Sequence, residues 1–120
     1  MDLLEVFKGS EDVKAFPAGA VIIREGEEAN YMYVVMEGTV DISLKSKALS
    51  TAHSGEIIGE MALINSDIRS ATITARTDCR VALIDKSSFN ARLKHVPEFT
   101  RHVMKVLTAR LQNAYEVIGF

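Results

Sequence analysis

The hydrophobic positions change their spacing twice along the 120 residues of this chain. From Asp2 to Phe16 they are spaced as in a weak helix, and Pro17-Ala18-Gly19 closes this section because proline and glycine together favour a turn. Beyond residue 20, short apolar or alternating runs bounded by glycine and polar residues predict β-strands. The predicted strands are 20–23, 31–36, 39–45, 51–58, 70–75 and 79–84, with a polar loop over 46–50.

The last third of the chain returns to a helical period. Asp85 or Ser87 can cap a helix over about 86–95, and Pro97 starts a longer helix over about 98–118. In the longer helix, apolar residues recur every three or four positions and predict one buried stripe. The stripe consists of Phe99, Val103, Leu107, Leu111, Ala114 and Ile118.

Many short strands followed by helices predict a fold of the α+β class that is mainly β. We expect an antiparallel β-roll with a short N-terminal helix and two C-terminal helices at its ends. The length is typical of one domain, and no internal repeat or linker divides the chain. Residues 1–120 are therefore interpreted as a single domain.

Composition and charge narrow the functional classes. Cys79 is the only cysteine, which excludes an intrachain disulfide and favours a reducing cytoplasm. The chain has no secretion signal and no run of about eighteen apolar residues, so we expect a cytoplasmic protein without a membrane partner. The net charge of −2 argues against a nucleic-acid partner. Scattered basic residues of the last third are interpreted as solvated helix faces: Arg92, Lys94, Arg101, Lys105 and Arg110.

Candidate binding chemistry is concentrated in residues 55–72. Gly59 and Glu60 stand where a strand gives way to a short helical turn, whose first N–H groups lack helical partners and can bind an anion. Arg69 follows nine residues after Glu60, and its guanidinium can hold two oxygens of one phosphate. Structural interpretations exist as well: Glu60 as an acid favoured by the helix dipole, and Arg69 in a surface ion pair with Asp67.

Residues 55–72 closely resemble the phosphate-binding cassette of cyclic nucleotide-binding domains. Other segments resemble strands of the same family in the same order, namely 16–27, 31–40 and 75–81. The resemblance implies a double-stranded β-helix, or jelly roll, and favours a stand-alone bacterial member without a DNA-binding domain. One departure is Ile68, where the family usually has proline, and we expect a less rigid turn there.

The resemblance also implies roles for individual residues of the cassette. Glu60 would accept a hydrogen bond from a ribose 2′-OH, and Arg69 would bind the cyclic phosphate. Ser70 would assist the phosphate with its hydroxyl, although a serine at a strand edge is also common. The other implied ligand-binding residues are Gly59, Met61 and Ala62 on the phosphate turn, and Ile58 and Leu63 in the apolar wall.

These observations lead to a functional hypothesis: the chain binds a cyclic purine mononucleotide, cAMP rather than cGMP, and acts as a regulatory sensor. Binding would close the last helix over the site through a hinge near Val96 and Pro97. Tyr115 would either cap the base or lie at a frayed terminus. A separate effector protein would receive the signal from a monomer or weak homodimer. The alternative is a degenerate roll that serves as a protein-interaction module without nucleotide.

An enzyme is not expected from this sequence. A metal-dependent enzyme of the related cupin shape needs several ligands that converge inside the barrel. His95 and His102 fall on or beside the C-terminal helices, away from His53, and Cys79 has no evident base partner. We therefore predict no catalytic residue, no metal site and no cofactor other than the cyclic nucleotide ligand.

Overall fold

The computed structural model describes residues 1–64 and 68–118, except for the side chains of residues 64, 115 and 118. Eight strands and four helices occur in these ranges. In chain order they are α1 (Leu3–Phe7), β1 (Val13–Phe16), β2 (Val21–Ile23), β3 (Tyr31–Glu37), β4 (Thr39–Leu44), β5 (Lys47–His53), β6 (Ile57–Ile58), α2 (Glu60–Ile64), β7 (Thr72–Ala75), β8 (Cys79–Asp85), α3 (Lys86–His95) and α4 (Pro97–Ile118).

The strands form two four-stranded antiparallel sheets, with strand orders β1-β8-β3-β6 and β2-β7-β4-β5. One apolar cluster lies between the two sheets and includes Val35, Val40 and Ile58. A second cluster, which includes Met32 and Val34, packs the first sheet against the helices. The predicted architecture, mainly antiparallel β with helices at the ends, is therefore confirmed.

The prediction of one helical section from Asp2 to Phe16 is wrong in its second half. Only α1 is helical, and the Asp2 carboxylate caps it by accepting from the N–H of Leu4 at 3.1 Å. Residues 13–16 instead form β1, which pairs with β8 so that Phe16 lies opposite Cys79. Backbone pairing with the distant strand β8 determines the conformation of residues 13–16. The local spacing of apolar residues carries no information about that pairing.

The polar loop predicted over 46–50 is also wrong, because β5 already begins at Lys47. Lys45 and Ser46 form a two-residue hairpin turn, with φ angles of 50° and 65°. Positive φ at both central positions matches the twist of the flanking strands and permits this tight connection. β4 and β5 therefore form one long hairpin beside the second half of α4, where Lys47 Nζ lies 3.4 Å from the carbonyl oxygen of Val117.

α4 is anchored at its start and less buried further along. Phe99 and Val103 are buried, and the Phe99 ring meets Phe89 of α3 edge to face, with 5.9 Å between centroids. Leu111 is 52% exposed, so the predicted apolar stripe is not buried along its whole length. No helix within the described ranges is long and apolar enough to cross a bilayer.

Candidate ligand-binding site

Gly59 connects β6 to α2 and creates space for an arginine. Its φ of +78° lies in the left-handed region, which favours glycine. A Cβ at this position would lie 2.7 Å from Nη1 of Arg69 and 2.9 Å from Cδ1 of Ile23. The missing side chain therefore lets the guanidinium pack directly against the backbone.

Arg69 is buried, with 7% of its surface exposed. Nη1 donates to the carbonyl oxygen of Gly59 at 2.9 Å, and Nη2 donates to that of Tyr31 at 2.7 Å. Its Cζ lies 5.6 Å from the ring centroid of Tyr33. Burial lowers the pKa of Arg69, while Tyr33 and the carboxylate of Glu60 oppose this shift. Arginine nonetheless remains a cation at neutral pH, so the site holds a fixed, desolvated positive charge.

The backbone around Arg69 is held by the turn that follows β2. The N–H of Arg69 donates to the carbonyl oxygen of Glu27 at 2.8 Å, and the N–H of Gly26 donates to that of Arg69 at 2.9 Å. These two hydrogen bonds fix the backbone position from which the side chain of Arg69 extends. The alternative ion pair with Asp67 involves a residue outside the described ranges.

Glu60 opens α2, and its carboxylate is almost completely buried, with 1% of the side chain exposed. Nη1 of Arg110, on α4, donates to Oε1 at 2.5 Å, and Nη2 of Arg110 donates to the carbonyl oxygen of Ile57. Among the residues that the structure describes, Oε2 has no hydrogen-bond partner. One oxygen of this acid therefore has a cationic partner, and the other is a buried acceptor without a donor.

Arg110 corrects a prediction, because its side chain is only 21% exposed and does not belong to a solvated helix face. The sequence contained a signal for this role. Arg110 lies three positions after Leu107 and four before Ala114, inside the predicted apolar stripe. A charge on the buried side of an amphipathic helix needs a buried partner.

Two adjoining cavities lie at this site. The smaller has a volume of about 60 Å³. The larger has about 490 Å³, lies between the β4–β5 hairpin and α4, and has mostly apolar walls. The two cavities share five lining residues and therefore lie side by side: Ile42, Met61, Ser70, Ala71 and Arg110.

The structure brings most of the sequence-predicted site residues together. Ile58 and Leu63, expected in the apolar wall, line neither cavity and belong to the two core clusters instead. Both side chains are buried. The predicted residues that line the smaller cavity are Gly59, Glu60, Met61, Ala62, Arg69 and Ser70.

Sequence comparison identifies the family. The model of the cyclic nucleotide-binding domain matches residues 13–95, which contain the whole cassette. The chain therefore belongs to the cyclic nucleotide-binding domain family, whose members act as ligand-sensing regulatory domains. Among curated relatives, the cAMP-dependent protein kinase regulatory subunit of Schizosaccharomyces pombe is 32% identical over 88 residues, covering 72% of this chain and 21% of the subunit.

Solved structures agree with this assignment. A structure described as PKAR CBD2 bound to Sp-2Cl-cAMPS has a TM-score of 0.71 at 29% identity. The match covers 84% of this chain and 69% of the PKAR CBD2 chain. The EAL enzyme Bd1971 is 31% identical and covers 88% of this chain and 30% of its own. It has been solved in a cAMP-bound form, with a TM-score of 0.67, and in a cGMP-bound form, with 0.68. The chain spans only 7% to 21% of the length of the kinase-related relatives that it matches.

Proposed function

We propose that this domain binds a cyclic purine mononucleotide, cAMP in preference to cGMP, and that binding is coupled to the position of α4. One observation carries the proposal. Arg69, a buried cation, and Glu60, whose Oε2 has no hydrogen-bond partner among the described residues, both line the same small cavity, and a larger apolar cavity adjoins it. A ligand with an anionic end, a nearby hydroxyl and a flat apolar ring complements all three parts.

The anionic end of the ligand would lie against Arg69. A cyclic phosphate carries one negative charge, and a buried guanidinium compensates it with directed donors. Nη1 and Nη2 already donate to backbone carbonyls, which hold the guanidinium in place before ligand arrives. The N–H groups of Met61 and Ala62, in the first turn of α2, have no intrahelical acceptor and supply further donors.

The sugar would lie against Glu60. A ribose 2′-OH near the bound phosphate can donate to Oε2, which has no partner in the described part of the chain. A buried acceptor without a donor is unfavourable, so the hydroxyl removes an existing cost as well as adding a bond. This contact would select ribose over deoxyribose.

The same carboxylate would couple the ligand to α4. Oε1 of Glu60 is held by Arg110, so a ligand that fixes Glu60 through Oε2 also stabilises the docked position of α4. The ligand favours that position by the difference in its affinity for the docked and undocked states. The proposed hinge consists of Val96, between α3 and α4, and Pro97, the first residue of α4. The proposed lid residue, Tyr115, has a side chain outside the described part of the chain.

Titration calorimetry with cAMP, cGMP and linear AMP tests the proposal. The wild-type protein should bind cAMP most tightly and linear AMP weakly. Arg69→Ala should lower the affinity for cAMP by about 2–5 kcal/mol, or roughly thirtyfold to several thousandfold. Arg76→Ala is the matched control because it also removes one arginine, which pairs with Asp41 in an exposed ion pair.

Two outcomes would overturn the proposal. If folded Arg69→Ala bound cAMP within threefold of the wild type, the phosphate contact would lie elsewhere. If the folded wild-type protein bound none of the three nucleotides, the alternative of a degenerate roll that binds only a protein would be favoured. Circular dichroism on each variant separates loss of binding from loss of fold.

A further inference from the structure

A surface depression beside the first turns of α4 has a positive lining, although the chain carries a net charge of −2. Its volume is about 230 Å³, and the described residues that line it are Met1, Glu98, Arg101, His102 and Lys105. Arg101 and Lys105 are cations at neutral pH, and the N-terminal amine of Met1 adds a third positive charge. Glu98 is the one acid among these lining residues. Three cations and one anion therefore face the depression before His102 is counted.

The two basic side chains are not neutralised by the protein. Arg101 and Lys105 lie one turn apart on α4, so their like charges are neighbours and repel each other. Neither forms an ion pair with a residue in the described ranges, although Glu98 lies only three positions before Arg101. The exposed Arg76, in contrast, is paired with Asp41 at 2.6 Å. An anion from outside the chain would relieve the repulsion in the depression.

His102 experiences this positive charge. Its side chain is half-buried, and burial lowers its pKa, with a further contribution in the same direction from the N-terminal amine and Lys105. Once protonated, an imidazole donates through both ring nitrogens and accepts through neither. An anion beside the ring would therefore stabilise its charged form, which makes His102 both a possible donor and a reporter of occupancy.

We propose that this depression binds a small dianionic oxyanion, a phosphate or a phosphate monoester, through Arg101, His102 and Lys105. The planar guanidinium of Arg101 can donate to two oxygens of one phosphate, and the ammonium of Lys105 supplies a second charge. Glu98 opposes the anion and limits the affinity. The lining shares no residue with the two cavities proposed for the cyclic nucleotide, so this inference does not depend on the proposed function.

NMR titration of the histidine side chains tests the proposal in the wild-type protein. Sulfate is the probe, because it remains a dianion throughout the range in which imidazoles titrate. With the ionic strength held constant by chloride, sulfate should raise the pKa of His102. His53 and His95 do not line the depression and serve as internal controls whose pKa should not respond. This measurement needs no variant to fold.

Variants locate the binding site. Arg101→Ala and Lys105→Ala should each weaken sulfate about fivefold, as expected for the loss of one exposed charge pair. Glu98→Gln should have the opposite effect and strengthen binding, because it removes the repelling charge. Arg24→Ala is the matched control, since it removes an exposed arginine that does not line the depression and should keep the wild-type affinity.

Two results would overturn the inference. One is an equal response of all three histidines to sulfate, which would show general screening of charge. The other is an equal loss of affinity in Arg101→Ala and Arg24→Ala. Inorganic phosphate and methyl phosphate then distinguish the source of the anion at a confirmed site. Equal affinities would assign the site to esterified as well as free phosphate, and a preference for inorganic phosphate would assign it to the free ion.

Discussion

The guanidinium of Arg110 donates to the carboxylate of Glu60, with 2.5 Å between Nη1 and Oε1, and so joins α4 to the first residue of α2. The two residues are 50 positions apart in the chain. Because Arg110 also donates to the carbonyl oxygen of Ile57, it contacts the backbone before Gly59 as well as the side chain after it. The acid proposed to hold the ribose is therefore already an anchor for the last helix.

Arg110→Ala should destabilise the fold, because it leaves the carboxylate of Glu60 buried without a cation. Removing one partner of a buried ion pair lowers the free energy of unfolding by about 3 kcal/mol. Denaturation in guanidinium chloride measures the change. Arg101→Ala removes an exposed arginine from the same helix and should change the free energy of unfolding by less than about 0.5 kcal/mol.

The double variant Glu60→Gln with Arg110→Ala separates charge from packing. A neutral amide tolerates burial better than an unpaired carboxylate, so the double variant should be more stable than Arg110→Ala alone. If Arg110→Ala were no less stable than Arg101→Ala, the contact between Glu60 and Arg110 would contribute nothing measurable to the free energy of unfolding. Equal stability of the single and double variants would locate the effect in packing.

Gly59→Ala should impair both stability and binding. An added Cβ would meet Nη1 of Arg69 at 2.7 Å, so the guanidinium would have to leave its place beside the phosphate turn. We expect at least a tenfold loss of cAMP affinity and about 1–3 kcal/mol of destabilisation from overpacking and left-handed strain.

Gly19→Ala is a close control for this experiment. Gly19 also has a positive φ, of +90°, but a Cβ there would have no heavy atom within 4 Å. Gly19→Ala therefore introduces backbone strain without a steric conflict, and cAMP affinity should stay near that of the wild type. If Gly59→Ala and Gly19→Ala changed the cAMP affinity equally, the close packing of Arg69 against Gly59 would not be the reason that binding requires a glycine at position 59.

Local patterns in the sequence predicted the parts of the fold that depend on local geometry. The alternation of Val40, Ile42 and Leu44 predicts β4, and the caps at Asp85 and Pro97 predict helices close to α3 and α4. Each of these signals acts over a few residues. The strand β1 escaped prediction because its evidence lies in β8, more than sixty positions away.

Long-range contacts also explain what was missed at the site. Glu60 and Arg69 lie within one segment, and their spacing could be recognised there. Arg110 could not be joined to Glu60 without knowing that α4 crosses the cassette. Ile58 and Leu63 lie in the core clusters and not in the cavity wall for a similar reason, since sequence position predicts proximity to a site but not the direction of a side chain.

The ligand 2′-deoxy-cAMP should bind more weakly than cAMP if Oε2 of Glu60 accepts from the ribose. A hydrogen bond to a charged group contributes about 1.5–3 kcal/mol, or roughly tenfold to a hundredfold in affinity. Competition calorimetry against cAMP measures this ratio directly. Equal affinities for the two nucleotides would place the 2′-OH away from Glu60.

Variants at Glu60 test whether its carboxylate causes the preference for cAMP over 2′-deoxy-cAMP. Glu60→Gln should reduce the discrimination between the two nucleotides, because a neutral oxygen is a weaker acceptor. Glu27→Gln removes an exposed acid that lines neither cavity and should preserve the wild-type ratio. Undiminished discrimination in Glu60→Gln would contradict the proposed contact.

His102 should make the stability of the protein depend on pH below neutrality. Burial lowers the pKa of His102, and the positive charges of the N-terminal amine and Lys105 act in the same direction. Glu98 and Arg101 line the same surface depression. In the unfolded chain the imidazole has a pKa of about 6.5, so the unfolded state takes up a proton first as pH falls. The free energy of unfolding should therefore decrease from about pH 7 down through the folded pKa.

Denaturation curves recorded from pH 5 to about pH 8 measure this contribution. At the upper end of this range the imidazole is neutral in both the folded and the unfolded state. His102→Gln removes it, so the variant should lose less stability than the wild type as pH falls, while the two proteins respond alike to pH above neutrality. Lys105→Ala removes one of the positive charges that oppose protonation of His102, so it should partly reduce the pH dependence of the free energy of unfolding. Parallel curves for the wild type and His102→Gln across the whole range would contradict the prediction, because the remaining pH dependence would then come from other groups.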